Sequence, residues 1–350
     1  MKILMLSDPC SIHTQRWKDA VDEAGHSVEV FGIPRQVTEA REGAVSKLSI
    51  LKLLPSLKRK VKEFEPDILH AHYASSYGLL GSLTGFSPYI ISVWGSDVYT
   101  FPLRSFLHKK ILQFNLSQAD QILSTSYAMA KETAKYTNKS VAVTPFGIDL
   151  NKFKAADSVR SVLFQPDDVV IGTVKSLNPK YGIDTLIKAF ALVEQGHPKL
   201  SLKLLIVGEG EEEFSLKRLC QELGLSSKVI FTGHVKHKNI VKYYNMLDIA
   251  VFVSVNESFG VSVIEAMACE KPVIVSDVGG LPEVVDAGRV GMICPAGNPL
   301  ATARAIERLI HSPQIAKKMA VDGRRHVKKL YNWPDNVKQM LAIYDSMVSK

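Results

Sequence analysis

The chain has 350 residues, 46% hydrophobic and 22% charged, the balance of an ordinary globular protein, which excludes a disordered chain. That length exceeds one ordinary hydrophobic core, so two domains of comparable size are expected. The net charge of +8 favours an anionic partner without choosing among nucleotides, phospholipids and nucleic acid.

In chain order, strand-like apolar runs fall near 2–6, 27–31, 67–70, 89–93, 121–124 and 141–143, with helix-length amphipathic segments between them. One such segment spans 14–24, and Gly25 after it is placed to end a helix in the left-handed region. The alternation restarts after Pro145-Phe146-Gly147-Ile148-Asp149, with strands near 169–174, 202–207, 228–231, 249–253, 273–275 and 291–293. Repeated strand–helix alternation is the pattern of parallel sheets wound with crossover helices. The reading is therefore α/β, mostly parallel, in two Rossmann-like domains facing across a cleft: residues 1–155 and 156–334, jointed near 150–165. A last helix, about 335–350, follows the second sheet and is expected to pack back on the first domain. In such sheets ligands bind beyond the carboxyl ends of the strands.

Met1-Lys2-Ile3 enters the first strand with no apolar signal core, and no apolar run reaches the ~18–20 residues that span a bilayer. Four cysteines, Cys10, Cys220, Cys269 and Cys294, lack metal-type spacing. A reduced, cytoplasmic setting is the expectation.

Chemistry concentrates in Val253 to Ala268, which reads as strand, turn and helix. The turn Ser258-Phe259-Gly260 opening a helix at Val261 offers free amides and the positive end of the helix dipole to a diphosphate. Glu257 precedes that helix and Glu265 lies more than one turn inside it, so two carboxylates flank the anion site. Carboxylates accept paired hydrogen bonds from vicinal hydroxyls, and a nucleotide sugar has two such diols. The alternative reading makes Glu257 a cap and Glu265 a surface residue. Gly208-Glu209-Gly210 follows a strand as a phosphate turn would, but its third glycine is missing and its neighbours are acidic; it reads mainly as a tight turn. Gly233-His234-Val235 follows another strand and reads either as backbone contact to a base or as a plain loop. His13 and Arg16 sit where the first strand meets its helix, His70 and His72 end another strand, and Ser96-Asp97 follows a third.

The pair Glu257-x7-Glu265 around Ser258-Phe259-Gly260, followed by Lys271-Pro272-Val273-Ile274-Val275-Ser276-Asp277-Val278-Gly279-Gly280-Leu281-Pro282-Glu283, resembles retaining glycosyltransferase family 4, of GT-B fold. Ser11-Ile12-His13-Thr14-Gln15-Arg16-Trp17, Ala24-Gly25-His26-Ser27-Val28, Trp94-Gly95-Ser96-Asp97-Val98 and Pro145-Phe146-Gly147-Ile148-Asp149 fall in that family's order, so the resemblance spans nearly the whole chain. It implies that Glu257 binds hydroxyls of the transferred sugar, Glu265 those of the ribose, and the Phe259 and Gly260 amides the diphosphate. It also implies that Gly208 borders the nucleotide pocket and that Asp97 holds an acceptor hydroxyl or orients a histidine. The family's Gly-Arg-Leu and Lys-Gly appear here as Lys175-Ser176-Leu177-Asn178-Pro179-Lys180-Tyr181-Gly182. Lys175 and Lys180, each shifted by one residue, are read as supplying the missing charge. For Lys175 the shift is awkward, because neighbouring side chains on an extended segment face opposite ways. The first loop carries Pro9-Cys10-Ser11-Ile12-His13 where many relatives have a Gly-Gly pair.

The expected activity is metal-independent, retaining transfer from a UDP- or GDP-linked sugar to a saccharide or lipid-linked acceptor, in cell-surface polysaccharide or glycolipid synthesis. No cofactor is expected, no Asp-x-Asp pair offers a metal site, and no nucleic acid partner is implied. The alternatives are a sugar-nucleotide epimerase or hydrolase of the same fold, or a non-catalytic subunit. The basic, leucine-rich stretch 51–62 and the segment 103–114 read either as contacts to anionic lipid at the inner membrane face or as solvated helix faces.

Overall fold

A computed structural model describes residues 1–33, 48–156 and 163–349. Two compact units emerge, one of 1–145 with 334–350 and the other of 146–333. Within the expected joint at 150–165, residues 157–162 lie outside the described residues.

The N-terminal unit carries strands β1 (Lys2–Leu6), β2 (Ser27–Phe31), β3 (Ile68–His72), β4 (Tyr89–Val93), β5 (Gln121–Ser124) and β6 (Val141–Val143). All pair in parallel in the order β2-β1-β3-β4-β5-β6. Burial on both faces explains why β1 and β4 read as near-continuous apolar runs. Helix α1 (Ile12–Glu23) follows β1 and ends before Gly25, whose φ of +86° takes the left-handed conformation. Helix α2 (Leu54–Phe64) precedes β3, and α3 (Phe106–Gln118) precedes β5. The last helix, α4 (Trp333–Val348), contributes all but its first residue to this unit. Its Tyr344 is fully buried, with the hydroxyl 2.7 Å from His70 Nδ1.

The C-terminal unit carries β7 (Val169–Val174), β8 (Leu202–Val207), β9 (Val229–Phe231), β10 (Ile249–Phe252), β11 (Val273–Ser276) and β12 (Met292–Cys294). Their order is β12-β11-β10-β7-β8-β9, the arrangement of a dinucleotide-binding sheet. Every pair is parallel. Its core is built from Ile171, Leu186, Phe190, Leu204, Ile206, Val251 and Ile274, all buried. Consecutive crossovers change direction between β7 and β10 in this unit, and between β1 and β3 in the other. An open α/β sheet parts its covering helices at that point and leaves a crevice beyond the strand ends.

Candidate functional site

In the C-terminal unit, the β7 and β10 ends bring the expected residues together. The chain leaves β7 at Lys175, whose amide donates to Val207 O (2.9 Å). The amides of Val255 and Asn256, beyond β10, both donate to Lys180 O (2.8 and 3.2 Å), which ties the two loops. Gly182 sits at φ +64°, and a Cβ there would strike the Val253 carbonyl oxygen. Lys175 Nζ reaches Glu257 Oε2 at 2.5 Å, with 11% of each side chain exposed. The Lys175 and Lys180 ammonium groups lie 4.4 and 4.8 Å from the Tyr181 ring centroid. The two shifted lysines thus converge on the tyrosine that stands at the family's lysine position. A shift of one residue does not turn Lys175 away from the site.

Gly260, at φ +107°, caps an eight-residue helix, α5 (Val261–Ala268). Its first amides have no partner inside the helix, and Phe259 is anchored by Phe146 and Tyr331, with ring centroids 6.1 and 5.5 Å away. Glu257 O accepts from the Gly280 amide (3.3 Å), and a Cβ on Gly279 would collide with that same carbonyl. The Gly279-Gly280 pair therefore lets a second loop press against the glutamate's backbone. One turn into α5, Glu265 is only 4% exposed. Its Oε2 accepts from Tyr244 O–H at 2.8 Å, and its Oε1 lies 3.1 Å from His237 Nε2. Burial, with the Glu265 charge beside it, pushes the Tyr244 phenol well above its ordinary range, so the hydroxyl stays a donor. Glu265 is neither a cap nor a surface residue.

Gly208-Glu209-Gly210 is a backbone clasp. Added Cβ atoms on Gly208 and Gly210 would strike the Lys175 and Leu177 carbonyls, and Leu177 N donates to Glu209 O at 2.9 Å. Gly233 forms an isolated antiparallel bridge with Gly208, while the exposed His234 side chain lies 3.1 Å from Glu209. His234 thus faces a carboxylate on the surface.

In the N-terminal unit, β1 and β3 gather a second group. His72, 1% exposed, has Nδ1 3.0 Å from Ser7 Oγ, which lies 2.6 Å from Thr14 Oγ1. Its ring stacks on Trp94 at 4.4 Å, and His13 meets Trp94 edge-on at 6.0 Å. Arg16 lies on the same face of α1 as His13, three residues on; Ser96 is exposed beside Trp94. Asp97, read from sequence as an acceptor-side or histidine-orienting group, is buried and accepts from the amides of Ala74 (2.8 Å), Gly95 (2.8 Å) and Trp94 (3.2 Å), so it fastens two loops. His72 likewise serves the interior.

Residues 156–326 match the family described as Glycosyl transferases group 1, and residues 2–126 match the one described as Glycosyl transferase 4-like. The chain belongs to these family-4-like glycosyltransferases. It is 24% identical over 347 residues to N-acetyl-alpha-D-glucosaminyl L-malate synthase of Bacillus anthracis, covering 92% of this chain and 90% of that one. Sucrose-phosphate synthase from Thermosynechococcus elongatus shares the fold at a TM-score of 0.87, 22% identity and coverage of 100% and 99%. Anabaena HepE in complex with UDP-glucose does so at 0.82, 21% identity and coverage of 99% and 100%.

Sequence reasoning missed two residues of this glycosyltransferase's C-terminal unit, His237 and Tyr244. They lie 28 and 21 residues before Glu265 and meet it only through the fold. Of the two basic segments, 51–62 turns most of its leucines inward: Leu57 is buried, Leu53, Leu54 and Val61 pack on the same core, and Leu51 is left exposed. Segment 103–114 keeps Leu103, Phe106 and Leu107 outward at 76%, 74% and 61% exposure, beside exposed Arg104, Lys109 and Lys110. Among the described residues no helix is long and apolar enough to cross a membrane.

Proposed function

We propose that this glycosyltransferase moves a sugar from a UDP- or GDP-linked donor to a hydroxyl acceptor with retention at the anomeric carbon, in polysaccharide or glycolipid synthesis. The observation that carries the reading is the arrangement around α5: Glu257 before its open end, Glu265 within it, and Lys175 in contact with Glu257. Glu265 takes the ribose hydroxyls, the helix start takes the diphosphate, and Glu257 takes hydroxyls of the sugar. The crystallised UDP-glucose complex of the fold-related HepE supports a nucleotide-sugar donor. The name of the Bacillus anthracis relative, a glucosaminyl L-malate synthase, supports a hydroxyl acceptor.

As the bond from the anomeric carbon to the phosphate oxygen breaks, negative charge grows on the leaving diphosphate. Lys175, Lys180 and the first amides of α5 meet that charge without a metal ion. The acceptor oxygen attacks from the same face, and its proton passes to the departing phosphate oxygen. The carboxyl end of the N-terminal sheet, with His13, Arg16 and Ser96, selects the acceptor. The exposed apolar residues of 103–114 and their cations hold the enzyme to an anionic cytoplasmic leaflet, and the outward lysines of 51–62 add charge alone.

Steady-state kinetics with a panel of nucleotide sugars tests the assignment. Glu257→Ala is expected to lower kcat by about 100- to 1,000-fold with nucleotide affinity nearly kept, whereas Glu265→Ala weakens nucleotide binding. Full activity in Glu257→Ala contradicts it, and product analysis showing free or epimerised sugar would replace transfer with hydrolysis or epimerisation.

A further inference from the structure

The nucleotide reading gives Glu265 a ligand-binding task, and the fold surrounds that carboxylate with groups no sequence motif announces. His237 lies in a single 3-10 turn, His237–Asn239. Its Nδ1 is 3.0 Å from Lys152 Nζ, and its Nε2 is 3.1 Å from Glu265 Oε1. An ammonium group has protons to give and no lone pair to offer, so Nδ1 must accept. The ring proton then sits on Nε2, which donates to Glu265. Phe153 walls this chain, its ring 5.8 Å from the imidazole and 5.2 Å from Lys152 Nζ.

The direction of donation is therefore set along the whole path, from Lys152 to His237 to Glu265 Oε1, with Tyr244 O–H meeting Oε2. A carboxylate this deeply buried is stable only when hydrogen-bonded. Each of its oxygens has two lone pairs. His237 and Tyr244 take one on each, which leaves one on each for an incoming pair of vicinal hydroxyls.

We infer that His237 is a positioning residue for nucleotide binding: its Nε2–H holds Glu265 in the orientation that receives the ribose diol, and Lys152 fixes the imidazole tautomer that makes this donation possible. The inference rests on the ribose role proposed for Glu265. It specifies that nucleotide affinity depends on a side chain that need not touch the nucleotide.

Calorimetry of the full chain with UDP and with GDP, paired with kcat at saturating donor, tests it. His237→Ala is expected to weaken the preferred nucleotide by about 10- to 100-fold, the scale of a hydrogen bond to a charged group, with kcat within about twofold of the parent. His237→Gln, whose amide nitrogen can stand near Nε2, should restore most of the affinity, and Lys152→Met should lose less than His237→Ala. In a Glu265→Ala background, His237→Ala should add little, because its target is gone. Parent affinity in His237→Ala, no rescue by Gln, or fully additive losses in the double variant would each overturn the positioning role while leaving the ribose reading intact. An unweakened Glu265→Ala would instead remove the ribose reading and this inference with it.

Discussion

In Lys175 and Glu257 one contact joins stability to the proposed chemistry. Each is mostly shielded from water, and breaking such a pair strands the remaining charge. Lys175→Met should therefore lower both turnover, by about 100-fold, and unfolding stability, by about 1–3 kcal/mol. Lys180 is exposed, so Lys180→Met should lower turnover with stability within about 0.5 kcal/mol of the parent; kinetics and denaturant titration of both variants check the contrast. The buried histidines of the N-terminal unit set a pH dependence. Burial lowers His70 to about 3 and takes His72 well below its ordinary value, with His70 and His13 adding repulsion. Both are neutral in the folded state, so the unfolded chain binds protons that the folded chain refuses. Their contribution is present above the unfolded value of about 6.5 and is lost as pH falls below it, for His70 toward about 3. Each group contributes a slope of up to about 1.4 kcal/mol per pH unit. Unfolding measured from pH 7 to pH 4 should show this loss, and His70→Gln should remove about one proton's worth of the slope.

Elements were more legible than contacts. Parallel strands buried on both faces leave apolar runs bounded by Gly, Pro and polar residues, so β1, β2, β4 to β8 have the expected bounds, and β3 runs on to His72. The helix opening at Val261 and its glutamates were visible because turn, dipole and carboxylates are local in sequence. His237, Tyr244 and the amides that meet Asp97 were not, since each contact joins residues distant in the chain or uses backbone that no side-chain pattern encodes. Segment 51–62 looked two-faced for the same reason: only packing decides whether leucines face the core or the outside. That decision makes the lipid reading specific to 103–114. Replacing Leu103, Phe106 and Leu107 with Ser should abolish co-sedimentation with anionic vesicles, whereas Lys58→Ala with Arg59→Ala should weaken it only in proportion to charge, about 1 kcal/mol per cation. Binding unchanged by the triple substitution, or insensitive to salt and anionic lipid, would count against membrane attachment.

At the scale of the molecule, the chain builds the same kind of sheet twice and places polar groups beyond the strand ends where the crossovers part. The two crevices differ in character. The C-terminal one offers an open helix start, two lysines and two glutamates; the N-terminal one is floored by a buried network of His72, Ser7, Thr14 and Trp94, with His13, Arg16 and Ser96 toward its surface. On the proposed reading the nucleotide goes to the C-terminal unit, and the net charge of +8 favours the arrival of an anionic donor at either. Titrating the intact protein with UDP and GDP in a calorimeter probes this directly. One site per chain for at least one nucleotide, with affinity sharply reduced by Glu265→Ala and unaltered by Arg16→Ala, is the predicted result. No binding of either nucleotide, or binding that ignores Glu265 and depends on Arg16, would contradict the account.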